Sequence, residues 1–156
     1  PTRRSSDLKH LFTFGGEHKR FTAGTERVVV NFRGVRILLE VCYDLRFPVW
    51  ARNLGDYDMI LYVASWPTPR VDAWSALLRA RAIENQCYVA GVNRMGVDPA
   101  CEYSGGSAII DPYGKTIAEC PWGRESAVSA DIDMEALQTF RKKFPVLDDA
   151  DPFTLI

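Results

Sequence analysis

The stretch Val35-Arg36-Ile37-Leu38-Leu39-Glu40-Val41-Cys42-Tyr43-Asp44-Leu45-Arg46-Phe47-Pro48 decides the fold. It opens as a β-branched and leucine-rich run, the composition of a strand buried in a sheet. Cys42 comes at the strand's end, and a turn and Pro48 follow. Open α/β sheets gather ligands and nucleophiles at the carboxyl ends of their strands. A thiol is therefore expected at such an end, with the Tyr43 N–H just beyond it able to face an oxyanion formed by attack at Cys42. A buried, inert cysteine is the other reading of the same position, because free cysteines are among the most buried residues.

Working outward, Glu26 to Phe32 is a valine-rich strand, and Arg33-Gly34 is short enough to join it to the Val35–Cys42 strand as a β-hairpin. Residues 11–25, broken by Gly15, Gly16 and Gly24, read as loop. Downstream, Pro48 to Leu54 is expected as a short helix ended by Gly55. Asp58 to Ser65 is a near-continuous apolar strand of the kind buried on both faces. Asp72 is a candidate N-cap for a helix to about Gln86, whose Trp74, Leu77, Leu78 and Ala82 fall on one face together with the polar Arg81 and Asn85. Cys87 to Asn93 completes a βαβ unit with parallel pairing. The strands Ser107–Ile110 and Lys115–Glu119 flank an Asp111-Pro112-Tyr113-Gly114 turn of type I character. A strand over Ala127–Ile132 and a helix from Met134 to Phe144, capped by Asp133 and stopped by Pro145, end the pattern.

The 156 residues fit one α/β domain, with no internal repeat or linker. A net charge of −1 gives neither a nucleic-acid footprint nor a polybasic membrane patch. No apolar run approaches the roughly 18 residues of a membrane span. Four cysteines without CxxC spacing read as reduced thiols of a cytoplasmic protein, and with only His10 and His18 present no histidine-rich metal site is expected. The opening octapeptide, residues 1–8, is polar and basic, lacks periodicity, and resembles the translation of a sequencing adapter. It is read as a non-native segment ahead of a partial domain over 9–156, with a plain disordered terminus as the alternative.

Leu39–Pro48, Trp66-Pro67, Arg79 to Gln86 and Asp111 to Gly114, taken jointly and in order, resemble the nitrilase superfamily of carbon–nitrogen hydrolases. Cys42 to Pro48 and Ser65-Trp66-Pro67-Thr68-Pro69-Arg70 are most similar to its bacterial omega-amidase branch. The resemblance implies an α-β-β-α sandwich, of which this chain is the later, incomplete part, and a cysteine, lysine and glutamate mechanism without metal or organic cofactor. It implies Cys42 as nucleophile and Glu17 as the second glutamate beside it. The family's lysine falls at Leu8, with Lys9 one residue too late, and its first glutamate has no counterpart.

A free thiol has a pKa near 8.5 and needs an activating neighbour, which in this chemistry is a glutamate, while lysine and the Tyr43 N–H stabilise the oxyanion. The expected reaction is hydrolysis of a small dicarboxylic acid monoamide such as 2-oxoglutaramate or succinamate, through a Cys42 thioester; the fragment alone is expected to be inactive. A homodimer is expected, with Trp50, Phe140, Phe144 and Phe153 as an exposed aromatic patch of the kind that marks interfaces. Trp66 reads as pocket wall or core. Arg46 is expected to shape the cysteine turn by pairing with Glu84 or Asp44, with carboxylate binding as the alternative. Arg81 is read as a paired structural group, and Cys87, Cys101 and Cys120 as inert. Two competing functions are a Cys–His thiol hydrolase using His10 or His18, and a degenerate, non-catalytic binding or assembly domain.

Overall fold

The computed structural model describes the backbone of residues 3–4 and all of residues 9–153. The strands are β1 (Arg3–Arg4), β2 (Phe21–Thr22), β3 (Val28–Phe32), β4 (Val35–Val41), β5 (Met59–Ala64), β6 (Tyr88–Asn93), β7 (Met95–Val97), β8 (Glu102–Ser104), β9 (Ala108–Ile110) and β10 (Thr116–Glu119). The helices are α1 (Val71–Glu84) and α2 (Met134–Lys143), and a 3₁₀ turn spans Cys42–Arg46. The remaining residues of the octapeptide, Leu8 among them, lie outside the described residues.

Six strands form one mixed sheet in the order β10-β9-β6-β5-β4-β3. The β3–β4 hairpin turns through Arg33 and Gly34, both at positive φ (52° and 84°). This is the two-residue turn whose twist matches the flanking strands. β4, β5 and β6 pair in parallel, with Leu38 beside Ile60 and Ile60 beside Val89. Those three side chains are fully buried against α1.

The helix seats deeply because β6 carries Gly91 where α1 crosses it. A Cβ there would meet Leu78 Cδ1 at 2.5 Å and Trp74 Cζ2 at 2.8 Å. Trp74 also donates its Nε1–H to the Gly106 carbonyl at 2.8 Å, which ties α1 to the segment before β9. Burying side chains of this size contributes about 1.5–3 kcal/mol each.

The opposite sheet face is apolar but open: Val30, Phe32, Val63 and Val92 are all exposed, Phe32 by 61%. Helix and sheet are thus two adjacent layers of a nitrilase-like sandwich. α2 is held at the end of the sheet where β5 and β6 begin. Arg141 bonds to Asp58 (3.0 Å) and to the carbonyls of Tyr57 and Gln86.

Four local expectations are corrected. Pro48–Leu54 closes as turns, because the Asn53 N–H is taken by Asn85 Oδ1 (2.9 Å) and the Leu54 N–H by Asp56. Arg70, not Asp72, occupies the α1 cap, since a 3₁₀ turn over Thr68–Arg70 runs straight into the helix. Asp72 sits in the first turn, where its charge suits the helix dipole. Residues 127–132 join no ladder: strand-like composition makes no strand without an aligned partner edge. Trp50, expected in an exposed aromatic patch, is buried, with Lys9 Nζ 5.1 Å over its ring.

Candidate active site

β4 ends at Val41 in extended backbone, and Cys42 then adopts φ 44°, the left-handed conformation that L-residues seldom take. The reversal turns the chain out of the sheet into the 3₁₀ turn, with Cys42 at the strand's carboxyl end. Arg81 of α1 fixes this turn from beneath. Its Nη2 donates to the Leu45 carbonyl at 2.6 Å and its Nη1 to Glu84 at 2.7 Å.

Asp44 fixes the turn from the other side. Its carboxylate, fully buried, accepts from the backbone N–H of His10 (2.8 Å), Lys9 (3.2 Å) and Val41 (3.4 Å), and from His10 Nδ1 (2.9 Å). The His10 ring stacks on Phe47 at 3.7 Å. Burial pushes the Asp44 carboxyl up, and the His10 and Lys9 bonds hold it back only in part.

The cysteine turn opens onto a cavity of about 620 Å³. Cys42, Glu17, Tyr43 and Trp66 all line it, so the four residues singled out from sequence come together. Glu17 Oε2 accepts from the Phe12 N–H at 2.7 Å, which anchors the loop that carries it. The Cys42 Sγ lies 4.0 Å from the Ser65 carbonyl oxygen. Burial pushes the thiol pKa up; the Ser65 contact opposes this, the charges of Glu17 and Asp44 add to it, and Arg70 draws it down.

Trp66 is both wall and core. It is 3% exposed and packs at 5.5 Å against Trp74. Asn93, at the carboxyl end of β6, holds it from both sides. Its Oδ1 accepts from the Trp66 N–H (2.7 Å), while its Nδ2 donates to the carbonyls of Trp66 (3.0 Å) and Gly105 (2.7 Å). Trp66 Nε1 in turn donates to the Arg70 carbonyl at 2.6 Å. Sequence reasoning gave Asn93 no role, although a polar residue closing an apolar parallel strand is a signal of this kind.

Arg46 is corrected. It pairs with neither Glu84 nor Asp44, because Arg81 holds the first and His10 the second. Its guanidinium lies 4.9 Å over the Trp66 ring, on the cavity side of the turn. Arg81, read as a paired structural group, is one, and takes the turn-shaping role expected of Arg46. Cys101, read from sequence as inert, and Tyr103, given no role there, also line the cavity. The Tyr103 hydroxyl donates to Asp98 at 2.8 Å, and that bond carries its pKa up to about 12. Neither His10 nor His18 lines the cavity, which removes the geometric basis for a Cys–His pair. Lys9 points to Trp50 instead, and among the described residues no lysine lines this space. No cluster of three metal-ligating side chains occurs among the described residues.

Comparison with known proteins identifies the family. The carbon-nitrogen hydrolase family model matches residues 2–142, beginning inside the octapeptide set apart above. Omega-amidase YafV of Escherichia coli (strain K12) is 54% identical over 150 residues, 96% of this chain and 59% of the relative. The 2-oxoglutaramate amidase of Bacillus subtilis (strain 168) is 43% identical over 143 residues, 90% and 54% of the two chains. The crystal structure of XC1258 from Xanthomonas campestris, a CN-hydrolase superfamily protein with an arsenic adduct in its active site, superposes with a TM-score of 0.92. It shares 48% identity and covers 97% of this chain and 60% of that one. The chain spans a little over half the length of these relatives. By its family match, its fold and its likeness to the omega-amidase branch, this chain belongs to the carbon–nitrogen hydrolase family of the nitrilase superfamily.

Proposed function

We propose that the whole protein is a thiol amidase that hydrolyses the terminal amide of a small dicarboxylic acid monoamide, of the 2-oxoglutaramate or succinamate kind. The observation that carries the reading is Cys42 in left-handed backbone at the end of β4, sharing one cavity with Glu17 and Trp66. The likeness to omega-amidase YafV and 2-oxoglutaramate amidase supports the substrate class.

In this reading the Cys42 sulfur attacks the amide carbonyl carbon, and the Tyr43 N–H takes the oxyanion. The thiol proton leaves with the amine as ammonia, forming an acyl thioester. Water then cleaves the C–S bond to give the carboxylic acid and regenerate the thiol. One oxyanion donor is worth roughly 2.7–4 kcal/mol of barrier. Glu17 is the second carboxylate of the site, orienting the reacting groups. Trp66 bounds the substrate, and no cofactor takes part.

The base and the lysine of such a mechanism are not among the described residues. Groups that act as a unit fail together, so residues 1–156 alone are expected to show no turnover. Residues 9–156 are read as a partial domain and residues 1–8 as foreign to it, which the source DNA upstream of Lys9 tests directly. Ammonia release is to be measured with a version extended upstream by a family-like glutamate and carrying Leu8→Lys. That protein is expected to turn over and its Cys42→Ala variant to be silent. Activity that survives Cys42→Ala refutes the thioester route.

One observation favours a second reading, a non-catalytic binding or assembly domain: Lys9 is committed to Trp50 rather than to the cavity. That reading predicts no turnover even in the extended protein. The complete protein is further proposed to form a homodimer in the cytoplasm, supported by the exposure of Phe144 (58%) and Phe153 (48%). Sedimentation showing only monomer at micromolar concentration counts against it.

A further inference from the structure

We propose that Arg70 is the group that recognises the distal carboxylate of the substrate, and so selects monoamides that carry a free acid over simple amides. The proposal rests on the amidase reading above and names the residue that gives it specificity. Three side chains of formally charged type line the cavity: Glu17, Arg46 and Arg70. Two cations and one anion leave a net charge of +1 around a site whose proposed ligand carries a carboxylate.

The two arginines differ from five others in this chain. Arg27, Arg36, Arg81, Arg94 and Arg141 each hold a carboxylate at 3.6 Å or less. Among the described residues, no carboxylate lies within salt-bridge distance of Arg46 or Arg70. A guanidinium offers a planar fork matched to a carboxylate, and leaving that fork open inside a cleft is what an anion subsite requires.

Between the two, the geometry points to Arg70. The Arg46 guanidinium lies over the Trp66 ring at 4.9 Å, engaged with the cavity wall itself. The Arg70 backbone is pinned at both ends. Its N–H donates to the Pro67 carbonyl (2.9 Å) and its carbonyl accepts from Trp66 Nε1 (2.6 Å). The side chain therefore leaves the wall that Asn93 fixes through Trp66, with its Cζ 5.9 Å over the Phe12 ring centroid. Its charge is also felt at the Cys42 thiol, where it opposes the effect of burial.

The test compares two maleimides at Cys42: 3-maleimidopropionate, which carries a carboxylate, and neutral N-ethylmaleimide. The ratio of their rates, followed by mapping the modified peptide, cancels any change in thiolate fraction, so it reads anion recognition alone. In the Arg70→Gln variant the ratio is expected to fall about tenfold, the loss of one charge-assisted contact. Arg70→Lys is expected to restore part of it. An unchanged urea midpoint serves as the check that the variant remains folded. An unchanged ratio in Arg70→Gln overturns the proposal, and so does an equal fall confined to Arg46→Gln. A fall in the ratio alongside an extended protein that hydrolyses no monoamide keeps the anion site and sinks the amidase reading, so the two failures are distinguishable.

Discussion

Cys42 illustrates how a strand end converts an ordinary residue into a candidate nucleophile. The same burial that protects its sulfur also keeps it protonated, because desolvation penalises the thiolate and Glu17 adds like charge. Reactivity of a thiol follows its ionised fraction. Alkylation of Cys42 by neutral N-ethylmaleimide is therefore expected to rise with pH along a curve displaced to higher pH than that of a free cysteine. Arg70→Gln is expected to displace it further in the same direction, since it removes a charge that draws the thiol pKa down. Rates measured from pH 7 to 10 check both shifts. A curve lying at or below that of free cysteine means that an unassigned cation or base already activates the sulfur.

At the scale of elements, the contact between α1 and β6 depends on one missing side chain. Gly91 has ordinary backbone, so an alanine there suffers no conformational strain. Its Cβ, however, is met at 2.5 Å by Leu78 and at 2.8 Å by Trp74, both fully packed. Gly91→Ala is expected to cost about 1–3 kcal/mol by overpacking, read as a lower urea midpoint with unchanged slope. The strands and helix that make this contact were legible in the sequence, because the apolar runs over 58–65 and 87–93 and the Trp74, Leu78, Ala82 spacing are strong periodic signals. The hairpin at Arg33-Gly34 and the Asp133 cap were legible for the same kind of local reason. The Pro48–Leu54 segment and the N-terminus of α1 were not, since Asn85 and the Thr68–Arg70 turn act from outside the local pattern. That Cys42, Glu17, Tyr43 and Trp66 line one cavity was legible from the motifs that carry them. Asn93, Arg70 and the exchange of roles between Arg46 and Arg81 depend on which partner each side chain meets in space, and spacing along the chain carries no such information.

On the scale of the whole molecule, one ion-pair network joins the hairpin, the central sheet and the last helix. Asp58, just before β5, is buried and takes a two-point bond from Arg36 of β4, at 2.9 Å to Nε and 2.7 Å to Nη2. Arg141 of α2 reaches the same carboxylate at 3.0 Å. Burial alone raises the Asp58 pKa, but the Arg36 bonds and the Arg141 charge outweigh it and hold the carboxyl below the usual aspartate range. A carboxylate whose folded pKa is depressed contributes stability that is fully present above its unfolded pKa, near 3.9. That contribution is lost as pH falls through the lower folded value. Unfolding free energy is therefore expected to hold steady near neutrality and to decline as pH drops below about 4. Asp58→Asn is expected to lose about 3 kcal/mol at pH 7, because two arginines then face a neutral amide in a buried position. Its acid limb should also be flatter than that of the wild type, since the titrating group is gone. Urea unfolding of both proteins from pH 3 to 7 measures the difference. Parallel curves across that range would mean that other carboxylates carry the acid sensitivity and that the Asp58 network only positions α2.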